Sequence, residues 1–226
     1  MFTGLVQEIG TLTGIRRAGS VTRLTVRAPR SASALGPGDS LAVNGICLTA
    51  TAIRGDTIAL DAVEETRRVS TLGFWRSGRR VHLEPALRAG DAMGGHLVLG
   101  HVDAVGVLRR SVRLGANLML TFDAPAMLTP WLLPKGSIAV DGVSLTLDAG
   151  PFGEGFTISL IPHTLGSTLF ETVQPGHRVN LEADILAKGA AARSAALTAI
   201  ETPVGSSSLS IETIRARGFR RAGRRH

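Results

Sequence analysis

The chain has 226 residues and a mass of 23.6 kDa, enough for one large domain or two of about 100 residues with buried cores. Hydrophobic residues make up 44% and charged residues 19%, and no apolar run approaches the ~18 residues of a membrane span, which excludes a mainly disordered chain and a helical membrane protein. The net charge of +7 sits mostly in six arginines of the last twelve residues (Arg215, Arg217, Arg220, Arg221, Arg224 and Arg225), leaving residues 1–214 at +1. With 4% aromatic residues and no tyrosine, that body has few groups on which bases can stack, so no nucleic-acid binding is expected of it. A single cysteine, Cys47, excludes an intramolecular disulfide and a thiolate metal site. The opening MFTGLVQEIG lacks the basic and apolar stretches of a secretory signal, and a cytoplasmic setting is expected.

Taken in chain order, apolar residues alternate with polar or small ones at Leu24 and Val26, Leu41 and Val43, Ile46 and Leu48, Ile58 and Leu60, and Val81 and Leu83. The same period of two returns at Leu118 and Leu120, Ile138 and Val140, Val143 and Leu145, Ile158 and Leu160, and Val179 and Leu181. Gly, Pro, Asp and Ser clusters at 36–39, 55–56, 150–155 and 174–176 separate these runs. Short strands at this spacing predict a small barrel or sandwich, twice over. Only the alanine-rich segment 185–200 reads as helix, and the TPVGSSSLS stretch with the arginines beyond it reads as a flexible basic tail.

The chain repeats itself. SLAVNGICLT from Ser40 aligns with SIAVDGVSLT from Ser137, and Ser70, Thr71 and Leu72 align at the same offset with Ser167, Thr168 and Leu169. RVHLE from Arg80 matches RVNLE from Arg178, and TGLVQEIGTL from Thr3 matches LGHVDAVGVL from Leu99. A unit this long is a duplicated domain rather than a solenoid repeat. The expected organisation is 1–93, 94–184, a helix over 185–201 and a tail over 202–226.

Alternation after Gly45 puts Ile46, Leu48 and Ala50 on one face and Cys47, Thr49 and Thr51 on the other; Ser144, Thr146 and Asp148 recur on the matching face of the second copy. A short polar ladder on each barrel suits a ligand. GGHLVLGHVD, residues 94–103, carries His96 and His101 at an odd separation that places the rings on opposite faces of an extended chain, with no companion ligands at a metal spacing. Gly94, Gly95 and Gly100 let the backbone run close to a ligand or to the other barrel, and spacing leaves the two even.

MFTG, the pair VNGICLT and VDGVSLT, GGHLVLGH, LIPHTL and VNLEAD occur in order over residues 1 to about 188, and together they resemble riboflavin synthase of the alpha type. The resemblance implies an all-β fold of two similar six-stranded Greek-key β-barrels plus a C-terminal helix at the axis of a homotrimer. It implies dismutation of two 6,7-dimethyl-8-ribityllumazine molecules, one passing a four-carbon unit to the other to give riboflavin and 5-amino-6-ribitylamino-uracil, with no cofactor and no metal. The family's lumazine-contacting positions fall in the first barrel on Gly4, Leu5 and Val6, on Cys47, Leu48 and Thr49, and on Asp61, Ala62, Val63, Glu64, Glu65 and Thr66. In the second they fall on Gly100, His101 and Val102, on Lys135, on Ser144, Leu145 and Thr146, and on Ile161, Pro162, His163, Thr164, Leu165 and Gly166. Phe2, Ser40, Cys47, His101, Ser144 and Asp184 match positions tied to turnover.

Two identical molecules with unlike roles require unlike pockets, and the copies differ where Cys47 opposes Ser144, Asn44 opposes Asp141, Thr66 opposes His163 and Leu5 opposes His101. The chain departs from the family pattern at Arg67, Leu99 and Gly189. The rival reading is a non-catalytic lumazine or flavin carrier in which one barrel has lost its site; here both barrels keep their motifs.

Overall fold

The computed structural model describes residues 1–148, 150, 152–153 and 155–201; the basic tail lies outside them. It divides into two compact units, Met1–Ala191 and Ala192–His226, and every strand among the described residues lies in the first.

Strands β1 (Glu8–Ala18), β2 (Val21–Arg27), β3 (Ser40–Val43), β4 (Ile46–Arg54), β5 (Thr57–Val63) and β6 (Arg80–Pro85) close into an antiparallel barrel in the order β1-β2-β5-β4-β3-β6. Strands β7 (Ala104–Leu114), β8 (Asn117–Asp123), β9 (Ser137–Val140), β10 (Val143–Thr146), β11 (Gly155–Leu160) and β12 (Arg178–Ala183) repeat that Greek-key order in a second six-stranded sheet. Its two end strands meet at a bridge between Leu147 and Ile158. Even the irregularities are duplicated, since the β1–β2 register shifts between Leu12 and Gly14 and the β7–β8 register between Leu108 and Arg110.

Alternation fills each interior. Leu24, Val26, Ile46, Leu48, Ile58 and Leu60 point into the first barrel, and Leu118, Leu120, Ile138, Leu145, Ile158 and Leu181 into the second. Each such side chain, moved fully out of water, stabilises the fold by roughly 1.5–3 kcal/mol. On the opposite face of β4, Cys47 is half-buried and Thr49 and Thr51 are exposed, and β10 repeats the pattern, so the polar ladder read from the sequence is present in both copies.

The sequence reading of a single helix falls short. The structure adds three six-residue helices, α1 (Pro29–Ala34), α2 (Glu64–Val69) and α3 (Pro162–Ser167), ahead of α4 (Ile185–Glu201). Six residues are too few to show a 3.6-residue periodicity. Other signals mark them: proline at the first turn of α1 and α3, and two acidic residues at the start of α2 with two arginines at its end.

Candidate functional site

The barrels pack through their matching hairpins. Asn44-Gly45 and Asp141-Gly142 both turn with positive φ, 45° and 75° in one and 44° and 77° in the other, as a two-residue hairpin of this twist requires. The glycine backbones touch, because a Cβ on Gly45 would lie 2.6 Å from the Gly142 nitrogen and one on Gly142 equally close to the Gly45 nitrogen. Around this contact a reciprocal network joins the copies. Asn180 donates from Nδ2 to the Asn44 carbonyl (2.8 Å) and accepts from the Thr71 N–H (2.7 Å). Its counterpart His82 contacts the Asp141 carbonyl through Nδ1 (3.0 Å) and accepts from the Leu169 N–H at Nε2 (2.8 Å). Burial lowers the His82 pKa to about 4 and raises that of Asp141 to about 7.

The segment leading into each barrel crosses to the other. Phe2 pairs with Val98 at the seam and is fully buried there among Ala42, Val98 and Ala139. Beyond it, the Gly4 carbonyl accepts from the Ser144 N–H (2.8 Å), and Val6 packs on the core of the second barrel. In return the Gly100 carbonyl accepts from the Cys47 N–H (3.0 Å), and Val102 packs on the core of the first. Sequence reading placed Gly4, Leu5 and Val6 with the first barrel and Gly100, His101 and Val102 with the second; the backbone pairing exchanges them. Both contacts depend on glycine, since Gly4 and Gly100 have φ of 76° and 78°. A Cβ on Gly4 would lie 2.6 Å from the Ser144 Cβ, and one on Gly100 2.5 Å from the Cys47 Cβ.

Two buried glutamates hold the exchanged segments. Glu84 accepts from the Thr3 N–H (2.7 Å), the Thr3 hydroxyl (2.8 Å) and the Gly4 N–H (3.0 Å). Glu182 accepts from the Leu99 N–H (2.7 Å) and the Gly100 N–H (2.9 Å). Burial raises the pKa of both, that of Glu182 to about 7, while these N–H groups oppose the shift. Neither was singled out from the sequence, although the signal was there: both close a repeated motif, RVHLE and RVNLE. Leu99 acts here through its backbone N–H, which any residue but proline supplies.

The first candidate site is a cavity of about 340 Å³ lined by Cys47, Glu65, Thr66, Gly100, His101 and Val102 among others. Along the same outer face Ser40, Thr49, Asp61 and Arg23 stand side by side on four adjacent strands, and Arg23 holds Asp61 in a two-pronged ion pair (2.9 and 3.0 Å) that lowers its pKa. Glu64 and Glu65 pair with Arg67 and Arg68 one helical turn on, so Arg67 has a local partner. Leu48 and Ala62 point into the core, which leaves only their backbone for a ligand, while Val63 is exposed.

At the second site Ser144, Thr146 and Ser137 repeat the positions of Cys47, Thr49 and Ser40. What differs is His96. Its ring is 8% exposed, Nδ1 lies 2.7 Å from the Ser144 hydroxyl, and Nε2 is buried without a hydrogen-bond partner among the described residues. Burial keeps the His96 pKa below its ordinary value, with the Asp184 charge opposing. Gly95 beside it answers the question left even by spacing: a Cβ there would lie 2.1 Å from the Thr3 carbonyl, so the glycine serves the close approach of the two lead segments. Asp184 accepts from the Leu186 N–H (2.9 Å) at the start of α4 and lines a smaller cavity of about 180 Å³ with Trp131 and Ser137. Lys135, at φ 61°, reaches toward Asp148 (3.7 Å). Pro162, His163, Thr164 and Gly166 lie on α3, the counterpart of α2; Ile161 just before it is exposed, whereas Leu145 and Leu165 are buried in the core. Among the described residues no His, Cys, Asp and Glu cluster suits a metal ion, and no helix is long and apolar enough to cross a membrane.

The lumazine binding domain family model matches residues 3–86 and again residues 99–184. The riboflavin synthase of Bacillus amyloliquefaciens is 40% identical over 188 residues, which cover 83% of this chain and 87% of that one. That of Mycobacterium tuberculosis is 41% identical over 191 residues, covering 83% and 95%. Among solved structures, LumP in complex with 6,7-dimethyl-8-(1'-D-ribityl) lumazine superimposes with a TM-score of 0.73 at 23% identity, over 81% of this chain and 99% of that one, and LumP in complex with riboflavin with a TM-score of 0.74 at 24% identity and the same coverage. Two matched domains in tandem and relatives at this identity over most of their length place the chain in the riboflavin synthase family, a family of transferase enzymes with duplicated lumazine-binding domains.

Proposed function

We propose that the protein is a riboflavin synthase that dismutates two molecules of 6,7-dimethyl-8-ribityllumazine, transferring a four-carbon unit from one to the other and releasing riboflavin and 5-amino-6-ribitylamino-uracil. One observation carries the reading: the chain builds two sites on one plan and equips them differently, the first with Cys47 and an exposed His101, the second with Ser144 held by a buried His96. Two like pockets suit two copies of one substrate. Unlike reactive groups suit a donor and an acceptor.

In this reading the row Ser40, Thr49 and Asp61 and its counterpart in the second barrel supply hydroxyl and carboxylate partners for ligand polar groups, and the exchanged Gly4 and Gly100 segments close over the rings. The substrate 7-methyl group is acidic because its carbanion delocalises into the ring, so an imidazole such as His101 is base enough to take the proton. His96 fixes the Ser144 hydroxyl and acts through it as a positioning residue. Holding both reactants in register supplies up to roughly 7–11 kcal/mol of the barrier reduction. The two sites of one chain use separate residues. We therefore infer that the first site of one subunit faces the second site of another, in a cytoplasmic homotrimer gathered by α4.

Incubating the purified protein with the lumazine as sole added small molecule tests the reading. Accumulating riboflavin is the expected result. Lumazine that binds and is recovered unchanged makes the protein a carrier instead.

A further inference from the structure

A further cavity, of about 450 Å³, opens at the seam between the barrels, and its lining includes none of the lumazine-contacting positions named for either barrel. Its size falls within the ~300–1,000 Å³ of small-molecule sites. Part of the lining is basic. Arg79, just before β6, and Arg80, its first residue, stand beside His177 from the loop before β12, with the Arg79 Nη2 3.4 Å from the His177 Nε2. Arginine only donates, so His177 accepts through Nε2 and carries its proton on Nδ1.

The duplication explains why these groups meet. Residues 79 and 80 correspond to 177 and 178 in the repeat, and the packing of the two copies brings equivalent basic positions together. Among the described residues neither Arg79 nor Arg80 forms an ion pair with a carboxylate, whereas Arg17, Arg23, Arg27, Arg67, Arg68, Arg109 and Arg113 do. The one carboxyl in the lining, Asp141, is fully buried and already accepts from the Asn180 N–H (2.8 Å). Like charges gathered in a concave site without counter-ions raise the local concentration of anions. Arg79 also lies 5.7 Å over the Trp75 ring, which holds the guanidinium in place.

The lining also holds an apolar set, Leu169, Phe170, Val173 and Pro175, interspersed with Thr172 and Gln174. His82, also in the lining, accepts the Leu169 N–H and lies against Phe170 at 5.5 Å between ring centroids, which holds this set in place. A planar guanidinium fork matches phosphate oxygens, and the apolar part of the lining suits a ring or chain attached to them. We propose that this cleft binds a small phosphate monoester with an apolar or aromatic body, at a site distinct from both lumazine pockets.

Isothermal titration of the full-length protein with phenyl phosphate tests it, with inorganic phosphate and phenol as the two halves of the ligand. Saturable binding of one phenyl phosphate per chain at millimolar or tighter Kd is expected. The two halves should bind more weakly, and saturating riboflavin should leave the phenyl phosphate Kd unchanged. Arg79→Gln should weaken binding about tenfold and the exposed Arg80→Gln about threefold, both with riboflavin formation unchanged. The Arg80 variant keeps the test open should loss of the Arg79–Trp75 contact impair folding. Absence of saturable heat, equal Kd in both variants and wild type, or displacement by riboflavin overturns the proposal. Inorganic phosphate binding as tightly as phenyl phosphate overturns the role of the apolar part of the lining.

Discussion

Asp141→Asn tests the seam between the barrels, because it converts one hairpin to the residue that its twin, Asn44, already has. Asp141 is fully buried, and its pKa rises from 3.8 to about 7 chiefly through loss of solvation. A raised carboxyl pKa means that the folded protein holds a proton that the unfolded chain releases. The resulting stability is present in full below the unfolded pKa of 3.8 and is lost as the pH rises to about 7. About three pKa units at 1.36 kcal/mol each put the cost of the charged form at up to about 4 kcal/mol. Asparagine keeps an oxygen for the Asn180 N–H but brings an amide N–H₂ needing a partner, at about 1–3 kcal/mol. The variant should therefore gain roughly 1–3 kcal/mol over wild type at pH 8.5 and gain nothing at pH 4.5. Urea unfolding of both proteins at the two pH values measures this as a double difference, in which the contributions of His82 and Glu182 cancel. A wild-type pH dependence that Asp141→Asn leaves intact refutes the argument.

Gly100→Ala forces a left-handed backbone at about 1–2 kcal/mol and pushes a methyl against Cys47, adding roughly 1–3 kcal/mol; the urea midpoint and first-site lumazine affinity should both fall. Gly19→Ala, at φ 61° with nothing within 4 Å, is the control that carries the backbone cost alone. Glu182→Gln leaves one of the Leu99 and Gly100 N–H groups facing a donor, so a stability loss of about 1–3 kcal/mol at pH 4.5 that shrinks toward pH 7 should appear in the same unfolding assay. His96→Leu should lower kcat roughly tenfold or more with KM little changed, and His96→Asn, whose amide sits near the place of Nδ1, should restore part of it; equal kinetics in the two variants would reduce His96 to packing. Cys47→Ser should lower turnover more than Ser144→Ala, because it removes the difference between the two sites at that position.

Much of this architecture was legible in the chain. The repeat and the period-two alternation lead to two like barrels because in-facing Leu48 and Leu145 must leave water while Cys47 and Ser144, one residue earlier, need not. The hairpins were written as Asn-Gly and Asp-Gly. What no local pattern reveals is the exchange of lead segments: Gly4 and Gly100 carry the same sequence signal whichever barrel they cover, and only closure of both sheets decides that Gly4 reaches Ser144 and Gly100 reaches Cys47. His96 was visible as half of a histidine pair. Its tie to Ser144 spans 48 residues, a contact that the fold makes and the spacing does not contain. The short helices escaped for a different reason, since a six-residue helix has too few turns to impose a pattern.

A single-turnover titration measures the central claim, that two unlike sites act together on two identical substrates. Lumazine is added stepwise to concentrated protein, and riboflavin is quantified after quenching at each step. The account predicts that lumazine binds at two equivalents per chain, that riboflavin rises most steeply as the second equivalent fills, and that one riboflavin and one 5-amino-6-ribitylamino-uracil form for every two lumazines consumed. Binding that saturates at one lumazine per chain, with the ligand recovered unchanged, would contradict it.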